Sequence, residues 1–180
     1  MFHSNTELLI DYWRAIGGGQ KAPPRASVDP ARFANLLPQT FIAARHGPGD
    51  YHLRLAGEFV IALHGRSLRG ESLLSLWSRS HRIELQTALE SVLRTPDPLV
   101  VSADARADDG VALRLEVLFA PLAGADGRAD RFLGLYQPTS AVSPLNGRPV
   151  RDLMIRTVGG AELRQIPRLR LAALDGRRIA

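Results

Sequence analysis

The stretch YHLRLAGEFVIALHGRSLRGESLLSLW, residues 51–77, changes its hydrophobic period partway along. Up to Ala56, apolar and polar residues alternate, which is typical of a strand with one buried face. Over Glu58–His64 the apolar residues are spaced as on a short helix, which Gly65 can end. A further turn or short helix follows, up to Trp77. The stretch therefore predicts a strand that leads directly into a block of short helices.

Further strands are predicted on both sides of this block. The turn residues HGPGD at 46–50 favour a hairpin between the first two strands. A helix over 78–93 ends before Pro96, and short turns separate the last three strands, as in an antiparallel meander. The predicted strands are 40–45, 51–56, 99–106, 111–122 and 131–137. This order predicts an α+β domain whose five-stranded antiparallel sheet is covered on one face by the short helices.

An amphipathic helix is predicted near the N-terminus, over residues 5–17. Proline-rich residues 22–38 then form a connector, in which Asp29 followed by Pro30 is typical of a helix start. The apolar stripe of the helix over residues 5–17 can be buried against the free face of the sheet or against a second copy of the chain. The stripe, which is also the predicted homodimer interface, consists of Leu8, Leu9, Tyr12, Trp13 and Ile16.

The order of two strands, several short helices and three strands resembles the PAS fold. The residues add to this, because the stretch at 51–77, LLIDYW at 8–13 and LRLEVLFAPL at 113–122 resemble a subgroup of stand-alone bacterial PAS-like proteins. The resemblance implies the strand order 2-1-5-4-3. It also implies a non-catalytic sensory or regulatory module that binds a small ligand or dimerises, and that signals to another protein. The expected division is an N-terminal helix and connector (1–38), the PAS-like domain (39–140) and a basic tail (141–180).

The sheet and the helical block are expected to enclose either a ligand pocket or a filled core. Ala103 and Gly134 are small enough to leave room for a ligand, whereas the larger side chains can fill the space themselves. Both alternatives remain open from the sequence. The candidate pocket residues are Leu53, Leu55, Phe59, Leu63, His64, Trp77, Val101, Leu115, Val117 and Phe119, and Ile83 and Leu89 are expected to face the same core.

Composition and motifs exclude several kinds of chemistry. The chain has no Cys, which excludes disulfides, thiolate catalysis and the cysteine of a flavin photosensor. A haem would need an axial His, and near the helices only His64 and His81 are available. A helix-end role for His64 and a solvated position for His81 are the simpler expectations. Hydrolase and phosphate-loop motifs are absent from the sequence, so no cofactor, metal or enzymatic activity is predicted.

Three charged residues are candidates for a polar network: Arg54, Arg66 and Glu116. In the order 2-1-5-4-3, the strands of Arg54 and Glu116 are three spacings apart, or about 14 Å. Direct pairing between these two is therefore not expected. Glu116 is expected to pair with a nearer residue such as Arg106 or Arg131, in a network that fixes the sheet.

The formal net charge of +5 lies entirely in residues 141–180, which carry eight Arg against three acids. A flexible basic tail is predicted there, and an alternative function is association with nucleic acid or another anion through it. Arg164 and Arg168 match one half of a cyclic-dinucleotide signature, whose other half is missing. No apolar run is long enough for a membrane span, and the N-terminus lacks the pattern of a signal peptide. We therefore expect a cytoplasmic protein.

Overall fold

The computed structural model describes residues 1–18 and 21–160. Three α-helices are present in these residues: α1 (Ser4–Gly17), α2 (Glu58–His64) and α3 (Arg82–Arg94). Six strands are β1 (Thr40–Gly47), β2 (Asp50–Ala56), β3 (Leu99–Arg106), β4 (Ala112–Ala123), β5 (Ala129–Pro138) and β6 (Asp152–Gly160). Short 3₁₀ helices are Arg25–Ser27, Pro30–Gln39, Leu73–Leu76, Arg79–His81 and Ser143–Leu145.

The strands form one antiparallel sheet in the order β2-β1-β5-β4-β3-β6. The first five strands follow the predicted order, and the predicted α+β class is confirmed. On the inner face, α2, α3 and the 3₁₀ helix Leu73–Leu76 between them cover a large apolar cluster. On the outer face, α1 and the connector cover a second one. Asp29 caps the connector's helix as predicted, since its side chain accepts a hydrogen bond from the Ala31 amide at 3.0 Å.

The prediction of a five-stranded sheet with a flexible tail is wrong for the first part of that tail. Strand β6 pairs with β3 along its whole length, from Leu99 opposite Gly160 to Arg106 opposite Asp152. Its Leu153 is fully buried. Ion pairs between the tail and residues 104–109 accompany this pairing: Arg148–Asp109, Arg151–Asp108, Arg156–Asp104 and Arg106–Asp152. Residues 161–180, which include Arg164 and Arg168, lie outside the described residues.

The segment 70–81 contacts both edges of the sheet. At the β2 edge, the Gly70 amide donates to the Leu53 carbonyl at 2.7 Å, and the Leu53 amide donates to the backbone carbonyl of Glu71 at 2.9 Å. At the β6 edge, the Ser78 amide donates to the Leu153 carbonyl at 2.8 Å. Backbone groups that an open sheet would leave to solvent or to another chain therefore have partners within this chain.

His81 lies at the same edge of the sheet. It was expected to be solvated, but it forms a hydrogen bond with β6. Its Nδ1 accepts a hydrogen bond from the Ile155 amide of β6 at 3.1 Å. The helix predicted to start at residue 78 begins instead at Arg82, after a 3₁₀ turn at Arg79–His81. This change frees His81 to satisfy an edge amide of the sheet.

Two residues expected in the core are exposed. Between β1 and β2 the pairing moves from Ile42–Leu55 to Ala43–Leu53, so Arg54 is an extra, bulged residue and Leu55 turns to the outer face, 50% exposed. Ile83 is 78% exposed. It lies two positions before Leu85, which α3 buries, and two helical positions are about 200° apart around the axis.

Within residues 1–18 and 21–160, no helix has the length and hydropathy that a bilayer crossing requires.

Replacing Leu153 tests the structural role of β6. Leu153→Ala is expected to lower the free energy of unfolding by about 2–5 kcal/mol, because the side chain is fully buried in the inner cluster. Arg156→Ala, on the same strand, is the control and is expected to cost less than about 1 kcal/mol, since its ion pair is half exposed. Urea unfolding measures both, and equal, small effects would contradict a structural β6.

Candidate functional site

The predicted pocket residues are largely brought together on the inner face. Eight of the ten lie in or against one apolar cluster, and His64 joins it through the ring of Tyr136, 5.9 Å away between centroids. Leu55 does not belong to it, because the bulge in β2 turns it outward. The eight are Leu53, Phe59, Leu63, Trp77, Val101, Leu115, Val117 and Phe119.

Aromatic rings occupy the centre of this cluster. The ring of Phe119 lies 5.7 Å from Phe41, 5.9 Å from Phe132 and 6.4 Å from Trp77. Gly134 is paired with Phe41 on one side and Phe119 on the other. A Cβ atom at Gly134 would overlap the Phe41 ring, so the space that this glycine leaves is already filled by Phe41.

Three polar side chains lie inside this apolar cluster. His64 Nε2 is 3.4 Å from the Tyr136 hydroxyl. Burial, with a smaller contribution from the charge of Arg66, lowers the pKa of His64 to about 4, and burial also raises the pKa of Tyr136. Both groups are therefore neutral near pH 7. The Nε1–H of Trp77, also fully buried, has no acceptor among the described residues. These groups are the hydrogen-bonding capacity that a small ligand could use.

A further polar centre, which the sequence analysis missed, ties α3 to the β1–β2 hairpin. The carboxylate of Glu90 accepts hydrogen bonds from the Tyr51 hydroxyl at 2.6 Å, the Gly49 amide at 3.0 Å and the Arg45 guanidinium at 3.2 Å. Burial alone would raise the pKa of Glu90, but these three donors together lower it. Glu90 thus stays ionised and holds the hairpin tip against the helical block.

Glu116 forms the main polar contact of the outer face. It is 9% exposed, and its carboxylate accepts from the His3 amide at 3.0 and 3.1 Å and from the Thr6 hydroxyl at 2.7 Å. Next to it, the Gln137 side chain accepts from Asn5 at 3.0 Å. The carboxylate thus meets the N-terminus of α1, where the helix dipole favours negative charge. We call Glu116 and Gln137 the helix anchor.

The helix anchor corrects the predicted partners of Glu116. Arg106 pairs with Asp152 and Arg131 with Asp130, so neither serves Glu116. Arg54 donates to His46 Nε2 at 2.7 Å, and Arg66 pairs with Glu71 at 2.6 Å. The three residues predicted as one polar network therefore take part in three separate contacts.

The predicted dimer-interface residues of α1 divide into two groups. Leu9 and Trp13 are buried against the chain's own sheet, where Trp13 Nε1 donates to the Pro121 carbonyl at 2.6 Å. The second group consists of Leu8, which is 44% exposed and about 100° from Leu9 around the helix axis, and of the half-buried Tyr12 and Ile16. Only this group is available to another chain while α1 keeps this position.

An apolar groove of about 230 Å³ lies beside α1 on the outer face. It runs between the connector and the β1–β2 hairpin, and Tyr12 of α1 contacts its Phe33 wall with ring centroids 5.2 Å apart. Leu37 and Leu55, which line it, are both exposed. The apolar residues that line this groove are Val28, Pro30, Phe33, Leu37, Ile42, Leu55 and Leu133.

The buried His64 is expected to make stability depend on pH. Its pKa is about 4 in the folded protein, against an ordinary value of 6.5, so the unfolded chain takes up the proton first. Acidification from about pH 7.5 to about pH 5 should then remove about 2 kcal/mol of stability through this residue.

His64→Gln, which cannot take up that proton, is the matched comparison. Urea unfolding at the two pH values should show the pH dependence reduced by this amount in the variant. An unchanged pH dependence would show that His64 is not buried in its neutral form.

The helix anchor can be tested by hydrogen exchange. Glu116→Gln removes the negative charge at the helix N-terminus, and amide exchange over α1 should rise about tenfold, which corresponds to about 1.4 kcal/mol. Exchange over α3, on the other face, should stay the same and serves as the internal control. Ser102→Ala, which changes the residue paired with Glu116 on β3, should leave α1 protected.

One protein family matches the chain, and several solved structures are similar to it at low sequence identity. The family described as PAS domain matches residues 1–137 of the chain. Among solved structures, the LOV protein of Rhodobacter sphaeroides is 13% identical with a TM-score of 0.48, covering 66% of this chain and 72% of that one. The PAS domain of the fruit-fly ELK potassium channel is 11% identical with a TM-score of 0.47, covering 62% and 94%. The Aureochrome1 LOV domain is 16% identical with a TM-score of 0.47, covering 60% and 80%.

No curated protein sequence matches the chain. The family match takes in α1, the connector and the first five strands, which are the elements that build both faces of the sheet. The chain therefore belongs to the PAS domain family of sensory signalling modules.

Proposed function

We propose that this PAS domain is a non-catalytic regulatory module that acts by forming a homodimer through its outer face, with α1 as the element that carries the signal. The helix anchor is the observation that carries the proposal. It attaches the start of α1 to β4 and β5, the two strands that also supply the centre of the inner cluster. Any change in the inner packing thereby reaches the helix on the opposite face.

The alternation of β4 supports this connection. Leu115 and Val117 point into the inner cluster, while Glu116 between them points outward to α1. The 14-residue α1 is of a length that is only marginally stable without tertiary contacts. Its position therefore depends on the anchor and on the burial of Leu9 and Trp13, and a small shift of β4 is sufficient to loosen it.

The occupant of the outer face that we propose is a second copy of this chain. Leu8 on α1 and Leu37 and Leu55 beside the groove are large, exposed apolar side chains on that face. In a twofold dimer the same patch is present on both partners, so each copy can cover the exposed leucines of the other. A signalling protein would then recognise the dimer or the helix released from it.

A small ligand in the inner cluster is the input that fits this arrangement. His64, Tyr136 and Trp77 provide hydrogen-bonding groups there. The rings around Phe119 fill the centre, so a ligand must displace at least one of them, and Phe41, above Gly134, is the ring that fills space left by a missing side chain. Binding would then be coupled to movement of β1 and β5. No cysteine is present to form an adduct with a bound flavin.

Association with an anion or nucleic acid is the second candidate, and it now concerns a shorter segment. The tail arginines within the described residues, Arg148, Arg151 and Arg156, are each paired with an aspartate. Residues 161–180 carry five Arg against two acids. Their charge is the feature that favours this candidate, and a chain ending at Gly160 separates it from the first proposal.

Sedimentation velocity tests the homodimer. The full chain and a chain ending at Gly160 should both dimerise at tens of micromolar, whereas Leu8→Glu and Leu55→Glu should shift the protein towards monomer. Both leucines are about half exposed, so these changes should leave the fold intact. Ile83→Glu, on the exposed side of α3, is the control and should still dimerise. A monomer at every concentration, or an equal effect of all three substitutions, would falsify the homodimer.

A further inference from the structure

A cluster of metal-ligating side chains lies at the end of the β1–β2 hairpin, apart from the inner cluster and the helix anchor. His46, Asp50 and His52 each present one ligand atom, and these atoms lie within 4.8 Å of one another. The two imidazole rings are 4.7 Å apart between centroids. The pairing of the strands shifts between Arg45 and Gly47, so His46 is bulged at the end of the hairpin, where it meets His52.

The hydrogen bonds of His52 define which of its nitrogens is available. Its Nδ1 is 2.9 Å from the Gly70 carbonyl oxygen, which can only accept, so Nδ1 carries hydrogen and donates. In the neutral ring, Nε2 then has a lone pair, and it faces Asp50 Oδ1 at 2.7 Å. Two electron-rich atoms this close need a positive charge between them, supplied by a proton or by a metal ion.

Metal-binding histidines usually donate their other ring N–H to a carbonyl or carboxylate, which fixes the ring and the tautomer. The bond from His52 to Gly70 is of this kind. Gly70 is itself held, because its amide donates to the Leu53 carbonyl of β2. His52 is therefore oriented by the fold with Nε2 turned towards Asp50.

His46 is also in the form that binds a metal. Its Nε2 lies 2.7 Å from the Arg54 guanidinium, which can only donate, so this nitrogen bears a lone pair. Arg54 is long and exposed, and a cation could take its place without disturbing the core. The arginine then competes with a metal for His46 and repels it through its charge.

We propose that His46, Asp50 and His52 form a binding site for a divalent cation of the zinc class. Two imidazole nitrogens and one carboxylate oxygen suit Zn²⁺, with water completing a tetrahedral shell. Bonds of about 2.0–2.1 Å place tetrahedral ligands about 3.3 Å apart, so the hairpin end must close by about 1.5 Å at most. Gly47, next to His46, allows this movement, since a residue without Cβ adapts easily and no atom of the described residues other than its chain neighbours lies within 4 Å of the position its Cβ would take.

A bound cation would connect both strands of the hairpin to the segment that follows Gly70. That segment continues to Ser78, which bonds to β6 at the other edge of the sheet. The site therefore lies where one ion could stabilise the edge strand β2 and its link to the helical block.

Titration of the metal-free full chain with ZnCl₂, followed by calorimetry, tests the site. One Zn²⁺ should bind per chain, and His46→Ala and His52→Ala should each weaken binding by about 10–100-fold. His3→Gln, a histidine outside the cluster, is the control and should bind as the original chain does. Zn²⁺ should also raise the melting temperature of the original chain but not that of His52→Ala.

Arg54→Gln provides a test that no loss of folding can imitate. Removal of the competing charge should tighten Zn²⁺ binding several-fold, while Asp50→Asn should weaken it. Unchanged affinity in both histidine variants, or weaker binding in Arg54→Gln, would overturn the proposal. Equal heats for Zn²⁺ and Mg²⁺ would overturn it as well, because an imidazole site discriminates strongly against Mg²⁺.

Discussion

The contact between Glu116 and the N-terminus of α1 is the interaction on which the outer half of the molecule depends. A carboxylate that is 9% exposed on a largely apolar sheet face is costly unless hydrogen bonds compensate its lost hydration. The His3 amide and the Thr6 hydroxyl provide them, and both belong to the segment that starts α1. The charge and the helix therefore need each other: without α1 the face would expose its apolar residues, and without Glu116 the helix would lose its N-terminal acceptor.

This mutual dependence explains why the central strands carry apolar residues on both faces. β4 is buried along nearly its whole length, with Leu118 and Leu122 facing α1 and Leu115 and Phe119 facing the helical block. A sheet enclosed in this way cannot change on one side alone, because close-packed interiors transmit displacement. The edges add to this constraint, since the segment 70–81 bonds to both β2 and β6.

Local features of the sequence predicted local structure well. Predicted and observed bounds agree for α2, which lies between Gly57 and Gly65, and for β3, which follows Pro98. At these residues the hydrophobic period of the sequence changes abruptly. The alternation in residues 131–137 places Tyr136 on the same face as Phe132 and Gly134, so its position in the inner cluster could have been predicted. Tyr136 is nevertheless not among the predicted pocket residues.

Features that depend on distant partners could not be predicted. Glu116 is 113 positions from His3, and no pattern along the chain links a strand carboxylate to a particular helix start. The bulge at Arg54 reverses Leu55 without any proline or glycine to indicate it. The same bulged hairpin brings His46 next to His52. Strand β6 was not predicted, because the many arginines of residues 141–180 indicated a solvated tail. Three of them, in and just before β6, instead pair with aspartates in and beside the β3–β4 turn, about 40–50 positions earlier.

The position of the Phe41 ring has a consequence for how a ligand could enter the inner cluster. A preformed cavity would accept a ligand with little movement, but here the ring of Phe41 occupies the space above Gly134. Phe41 also contacts Phe119 and Tyr136, and Tyr136 contacts His64. To admit a ligand, the ring must move, and its strand β1 is paired with both β2 and β5. Part of the free energy of ligand binding would thus shift the strands beneath α1, and this would couple the inner cluster to the outer face.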